Sequence, residues 1–353
     1  MQLDFLRDPR YSVRNVSDAI MKIPNEYSLL SQLGLFPEKG IRTTYVEVEI
    51  KEGFLNLITT TERGAPAPEK KRSTRSTRVM KTLFMQQNDT IKASDLQNLP
   101  AFGTLDSAGN AGEAFFEAFD NELAERFEEL QRGYRQTHEY MRWGALRGDV
   151  YDADGTRVLY NCYTEMGESQ QSIDFKFGTT TSDGILAASK TGRRYMEKSL
   201  MGEPMTRQLA LCSAEFFDKV TTHPSYAKFY ENNPVGKPNP FLDDLGVTYF
   251  QHGTWTYIEH NGEASYLNAD GTTSTRRFIP ENEAIIVPLG TKQTFRSYFA
   301  PGEMLDAVNM PGQSMYASLK ELDHGAGVEI HTESAPLFLV QKPRLVLRGY
   351  SSN

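Results

Sequence analysis

Cysteine is nearly missing: Cys162 and Cys212 are the only two in 353 residues, and no CxxC occurs. Two thiols cannot build a disulfide framework, and without CxxC pairs no cysteine-based zinc site can form. The expectation is a chain kept in a reducing cytoplasm. Long apolar runs are missing too: none approaches the ~20 residues of a membrane-spanning helix. The opening residues carry Asp4 and Asp8 instead of the basic-then-apolar order of a signal peptide. Positive charge is in deficit, with 38 Lys and Arg against 46 Asp and Glu and a formal charge of -8, which argues against a dedicated nucleic-acid binder.

Signatures of catalysis are equally scarce. There is no GxSxG, Walker loop, HExxH or GxGxxG. His324 and His331 stand seven residues apart, and His252 and His260 eight; neither spacing matches a helical metal pair, and a tetrahedral site needs more ligands. Asp152-Ala153-Asp154-Gly155 opens like a calcium loop, but no glutamate closes it, and a hairpin turn explains it better. Cys212 lies among Ala210, Leu211 and Ala214, the setting of an inert core thiol. No catalytic, cofactor or metal residue is assigned, and a non-enzyme without a cofactor is expected.

What is present is a large core. Hydrophobic residues make up 39% of the chain, with 20 Phe and 17 Tyr, too many for a disordered protein. The length suits about two domains. Pro9, Pro24, Gly34, Pro37 and Gly40 punctuate the first forty residues. Short helices fit at 16–22 and 25–33, neither stable alone, so this arm should lie along another surface of its own chain or of a neighbour's. From Thr43 the period becomes two: Val46, Val48 and Ile50 alternate with Glu47, Glu49 and Lys51. Residues 54–58 continue the strand, and Arg63-Gly64-Ala65-Pro66 forces a turn. The return leg carries Lys70, Lys71, Arg72, Arg75 and Arg78, opposed locally only by Glu69, and turns apolar at 79–85. So long a hairpin needs something to pack on. The basic leg could be a solvated face, a phosphate-binding stretch, or a contact with an acidic surface on another copy.

The clearest element spans residues 111–146. Asn110 and Glu113 have the form of a capping box. Phe116, Phe119, Leu123, Phe127, Leu130 and Tyr134 then recur every three or four residues, predicting a long amphipathic helix whose stripe is core. Its aromatics are too bulky for a narrow coiled-coil seam and suit contact with a sheet. A hairpin follows over 149–163, with Asp154-Gly155 at its turn. Helices fit 185–202 and 209–232, the second interrupted by Pro224. Strands fit 254–259, 264–267, 284–288, 329–333 and 337–348.

This order of parts resembles the lambda-type major head protein family of tailed bacteriophages. The likeness is carried by Leu33-Gly34-Leu35-Phe36-Pro37 with Thr43-Thr44-Tyr45-Val46-Glu47, and by Arg63-Gly64-Ala65-Pro66. It continues in Leu211-Cys212-Ser213-Ala214-Glu215-Phe216-Phe217 with His223-Pro224, then Glu333-Ser334-Ala335-Pro336-Leu337 with Lys342-Pro343-Arg344-Leu345-Val346-Leu347-Arg348. The resemblance implies an α+β fold of the Hong Kong 97 type. An N-terminal arm would span 1–42, an extended loop 43–92, and a peripheral domain with the spine helix 93–184. An axial domain would span 185–317, and return strands of the peripheral domain 318–353. It implies a self-assembling virion shell of hexamers and pentamers around packaged double-stranded DNA. Scaffold, portal and a decoration protein would be partners, with assembly in the host cytoplasm and no membrane. In that setting Lys70, Lys71, Arg72, Arg75 and Arg78 would meet a neighbouring subunit. The alternatives are a nucleic-acid or acidic-ligand module using residues 70–78, and an enzyme with a scattered site.

Overall fold

The computed structural model describes residues 13, 16–17, 28–52, 74–97, 111–178, 184–200, 203–224, 226, 246–252, 255–267 and 272–352, with the backbone alone at 49–52, 74–76, 96–97, 111–118 and 267. One helix, Ala111–Arg147, runs through two cores. Phe119, Leu123, Phe127, Leu130 and Tyr134 are buried in the first, stacked on one face by their three- and four-residue spacing. The Phe116 side chain lies outside the described residues. This core is shared with Ile91, Ala317, Val328 and Ile330 of a three-stranded antiparallel sheet, in which Gly327–Ser334 pairs with both Tyr316–Glu321 and Met85–Lys92. The Tyr134 hydroxyl donates to the Thr332 carbonyl at 2.9 Å, fixing the helix against the middle strand.

Beyond Tyr134 the helix enters the second core. Met141, Trp143, Ala145 and Leu146 pack with Phe299, Leu337, Phe338 and Leu339. The sheet here is small: Phe295–Phe299 pairs in parallel with Glu38–Gly40 and antiparallel with Pro336–Val340. All five residues of Pro336–Val340 are buried, so the strand reads as an unbroken apolar run.

A six-stranded sheet closes the far side of this second core. Its order is Gln171–Asp174, Leu347–Tyr350, Ala284–Leu289, Arg207–Cys212, Trp255–Glu259, Tyr249–His252. Leu209, Leu211, Ile258, Ile285 and Val287 join the core of the long helix. Their neighbours Ala210, Cys212, Tyr257, Ala284 and Ile286 join a third core, with side chains of the helices Gly184–Ser199 and Ala214–Thr222. Two covered faces explain a correction. Residues 209–232 read as one interrupted helix in the sequence, yet Arg207–Cys212 is a central strand. Buried on both sides, it shows none of the alternation that marks a half-wet strand. Ser213 then caps the short helix, its hydroxyl accepting from the Phe216 N–H at 3.3 Å.

The segment expected to run extended over 337–348 breaks at a 3₁₀ turn, Pro343–Leu345. Residues 318–353 are divided among three sheets: 327–334 beside the long helix, 336–340 in the small sheet, and 347–350 between Gln171–Asp174 and Ala284–Leu289. The hairpin Asp149–Tyr151 with Val158–Asn161 turns at Asp154-Gly155, where the Asp154 carboxylate accepts from the Thr156 and Arg157 N–H groups at 2.9 Å each. Gly155 has φ +66°, and a Cβ there would lie 2.6 Å from the Tyr266 ring of a second hairpin, Glu263–Leu267 with Thr273–Arg277. Only glycine satisfies both the backbone and the close approach.

Candidate assembly surfaces

The excursion that begins at Tyr45 is a two-stranded ladder, Tyr45–Glu52 against Thr74–Lys81. Val46, Val48 and Met80 on one face are buried and join the second core. Lys70, Lys71 and Arg72 lie outside the described residues. Arg75 is described in its backbone alone, opposite Lys51. Register puts Glu47 and Glu49 on the face that carries Arg75, so Glu69 is not the only local carboxylate. That placement is invisible in the sequence because it depends on a pairing across some thirty residues. Arg78 is exposed and sits opposite Val48, on the inward face. Its guanidinium comes within 3.3 Å of where a Cβ on Gly167 would stand, so it lies against its own chain. The structure does not bring the five basic residues together as one described cluster.

Of the acids that crowd the start of the long helix, the Glu113 and Glu117 side chains lie outside the described residues, Asp120 is exposed and Glu122 half-buried; farther along, Glu125 and Glu129 face solvent. Arg126 there donates from Nε to Glu122 at 2.9 Å and reaches Asp89 of the adjacent sheet at 3.7 Å. The Glu122 contact lies within the helix; the Asp89 contact fastens the helix to its sheet.

A buried polar knot fastens the arm. Leu29, Leu30, Leu35 and Phe36 enter the second core, and the Leu30 N–H donates to Glu139 Oε1 at 2.8 Å. Glu139 Oε2 makes no hydrogen bond and stands 3.6 Å from Arg142 Nη1. Arg142 Nη2 reaches Glu38 Oε1 at 3.0 Å, and its guanidinium lies 5.1 Å from the Phe338 ring centroid. Burial raises the Glu139 pKa above the usual carboxylate range, while the Leu30 N–H and Arg142 hold it down. His138 Nε2 contacts Ser334 Oγ at 3.0 Å, and the ring packs 5.5 Å from both Phe299 and Phe338. Burial, with the nearby Arg142 charge, pulls its pKa down to about 3, so the imidazole is neutral. The residues of this knot are spread over the arm, the long helix and the strands, and the helical stripe alone gives no sign of them.

The sequence profile of the phage major capsid protein E family matches residues 12–351. The chain belongs to that family. It is similar to the major capsid protein of Pseudomonas phage KPP10, 26% identical over 353 aligned residues with 96% of each chain covered. It is also similar to the major capsid protein of Salmonella phage Felix O1 (isolate Felix O1-VT1), 22% identical over 367 residues, covering 96% of this chain and 95% of that one. Among solved structures, a prophage capsid protein of E. coli CFT073 superposes with a TM-score of 0.55 at 14% identity, over 99% of this chain and 97% of that one. A phage-related protein from Bordetella bronchiseptica RB50 gives 0.51 at 9% identity, over 96% of each. The α+β architecture is the Hong Kong 97-type capsid fold. This major capsid protein has a structural, non-enzymatic role, serving in many copies as a component of the virion shell. Among the described residues, no helix is long and apolar enough to cross a membrane.

Proposed function

We propose that this capsid protein forms hexamers and pentamers that close into an icosahedral shell around double-stranded DNA, held without sequence specificity. Assembly takes place in the host cytoplasm with a scaffold protein and a portal, and a decoration protein binds the finished shell. In this reading residues 1–42 are the arm and 43–92 the extended loop. The long helix is the spine of a peripheral domain, 93–184 with 318–353, and 185–317 form the axial domain. The match of the capsid family across residues 12–351 is the observation that supports it most. Charge agrees: an inner wall with an excess of cations would hold the genome by counterion release and hinder its movement, whereas this chain carries -8. No described contact favours a nucleic-acid module built on residues 70–78; Arg78, the one basic residue there whose side chain is described, lies against Gly167.

Electron microscopy of the expressed protein, alone and with its candidate scaffold, tests the reading. Closed shells with sixfold and fivefold capsomers are expected. A monodisperse monomer under every assembly condition would overturn it.

A further inference from the structure

Three loops meet at one end of the small sheet. The Gly312 N–H donates to the Ile41 carbonyl at 2.9 Å, Ile41 N–H to the Phe299 carbonyl at 2.8 Å, and Leu83 N–H to the Pro336 carbonyl at 3.0 Å. Gly40 and Gly312 are packed backbone to backbone, with no room for a Cβ on either. This end of the sheet is therefore fixed, and what it presents is set by the fold. It presents apolar side chains to water. Leu305, at the start of the 3₁₀ turn Leu305–Ala307, is 94% exposed, Val308 57% and Met310 49%, while Ala307 between them is buried as the loop's anchor. On the adjoining segments Phe84, in the loop after Lys81, is 42% exposed, and Tyr45, the first residue of the strand Tyr45–Glu52, 53%. One leucine in water is ordinary, but Leu305 stands on an anchored turn with other exposed apolar side chains, and it is such grouping that marks an interaction surface.

We infer that this apolar corner is a contact surface for a second copy of the chain, an inference that rests on the shell reading above. Its rim carries both signs of charge: Glu303 and Asp306 on the protruding loop, Lys39 and Arg42 beside it. All four are exposed, and none has an ion pair among the described residues. A nucleic acid or a purely basic partner would meet like charge on one side, whereas another copy supplies acids for these bases and bases for these acids. Size points the same way. The five apolar side chains expose an area on the order of 500 Å², within the ~300–600 Å² of the largest patch on a typical monomer, which is often a functional one. That falls short of the ~800 Å² per partner of a stable pair. The corner therefore leaves free subunits monomeric and acts where many copies make the contact at once.

The test compares wild type with Leu305→Asp and with Leu305→Asp/Val308→Asp. Because both positions are exposed, the free subunits should keep the wild-type circular dichroism and melting temperature, while particle yield falls by roughly tenfold or more. A photo-crosslinking residue at position 305 should join capsid chains to each other in particles and give no dimer in dilute subunits. Normal particle yield from the double variant, or crosslinks in particles that run only to a different protein, would overturn the inference. Wild-type protein that never forms particles would instead defeat the shell reading, and this inference with it.

Discussion

His138 is a histidine that the fold holds without its proton. Its folded pKa of about 3 lies far below the ~6.5 of an unfolded chain, because a charged imidazole would be stranded between Phe299 and Phe338 with Arg142 nearby. The unfolded chain therefore binds the proton first. Its contribution is complete above pH ~6.5 and is lost progressively as the pH falls toward 3. At pH 4 the loss amounts to about 3 kcal/mol, a large part of the stability of an ordinary domain. His260, lowered to about 4 by burial beside Trp143 and Phe278, acts in the same direction. Glu139, whose pKa burial raises, acts in the opposite direction and offsets part of the loss. His138→Gln retains a polar group within reach of Ser334 and removes the titration. Melting temperatures of the free subunit from pH 7.5 to 4 should show the variant less stable at the top and the gap closing on acidification. Two parallel curves would show that His138 does not carry the acid sensitivity.

The long helix shows which elements can be read from sequence. Its stripe predicts Phe119→Ala or Phe127→Ala to cost ~3–5 kcal/mol each, since each ring is buried against strands that cannot collapse into the space left. Urea denaturation of the free subunit measures this, and unchanged midpoints would mean the helix face is exposed in solution. The helix, the Asp154-Gly155 hairpin and the Val46–Val48 alternation were legible because each has one wet face or a turn that only certain residues permit. Arg207–Cys212 was not: covered on both faces, it offers no period to read. The strand Phe295–Phe299 went unread for a different reason, since it pairs with segments far along the chain; Tyr316–Glu321 went unread although only the short turn 322–326 separates it from its partner Gly327–Ser334. The candidate surfaces were legible only in part. A run of cations is visible in the letters, but that Arg78 lies against Gly167, or that Glu47 and Glu49 share a face with Arg75, depends on register. Leu305, Val308 and Met310 carry no signal at all, because an apolar letter does not say which side of the protein surface it occupies.

At the scale of the whole molecule, weak contacts gain weight through repetition. An exposed ion pair contributes only ~0–1 kcal/mol, so the basic leg can do little for a single subunit. If it reaches carboxylates on a neighbour, each subunit of a shell repeats the contact, and a closed assembly breaks many at once or none. Glu125 and Glu129, exposed on the long helix, are one surface it could meet. Arg72→Glu with Arg75→Glu separates this from a merely solvated leg, and leaves out Arg78 because that side chain has a place against its own chain. The melting temperature of the free double variant should stay near wild type, while shells fail to close or close wrongly. Wild-type assembly should weaken in the same sense as salt is raised, because exposed charges are screened over ~8–10 Å at moderate ionic strength. The apolar corner around Leu305 should respond in the opposite way, since salting-out ions strengthen burial. Assembly that falls from low to moderate sodium chloride but recovers in sulfate would show both surfaces at work. Normal shells from the double reversal would leave the corner without the leg as a second contact.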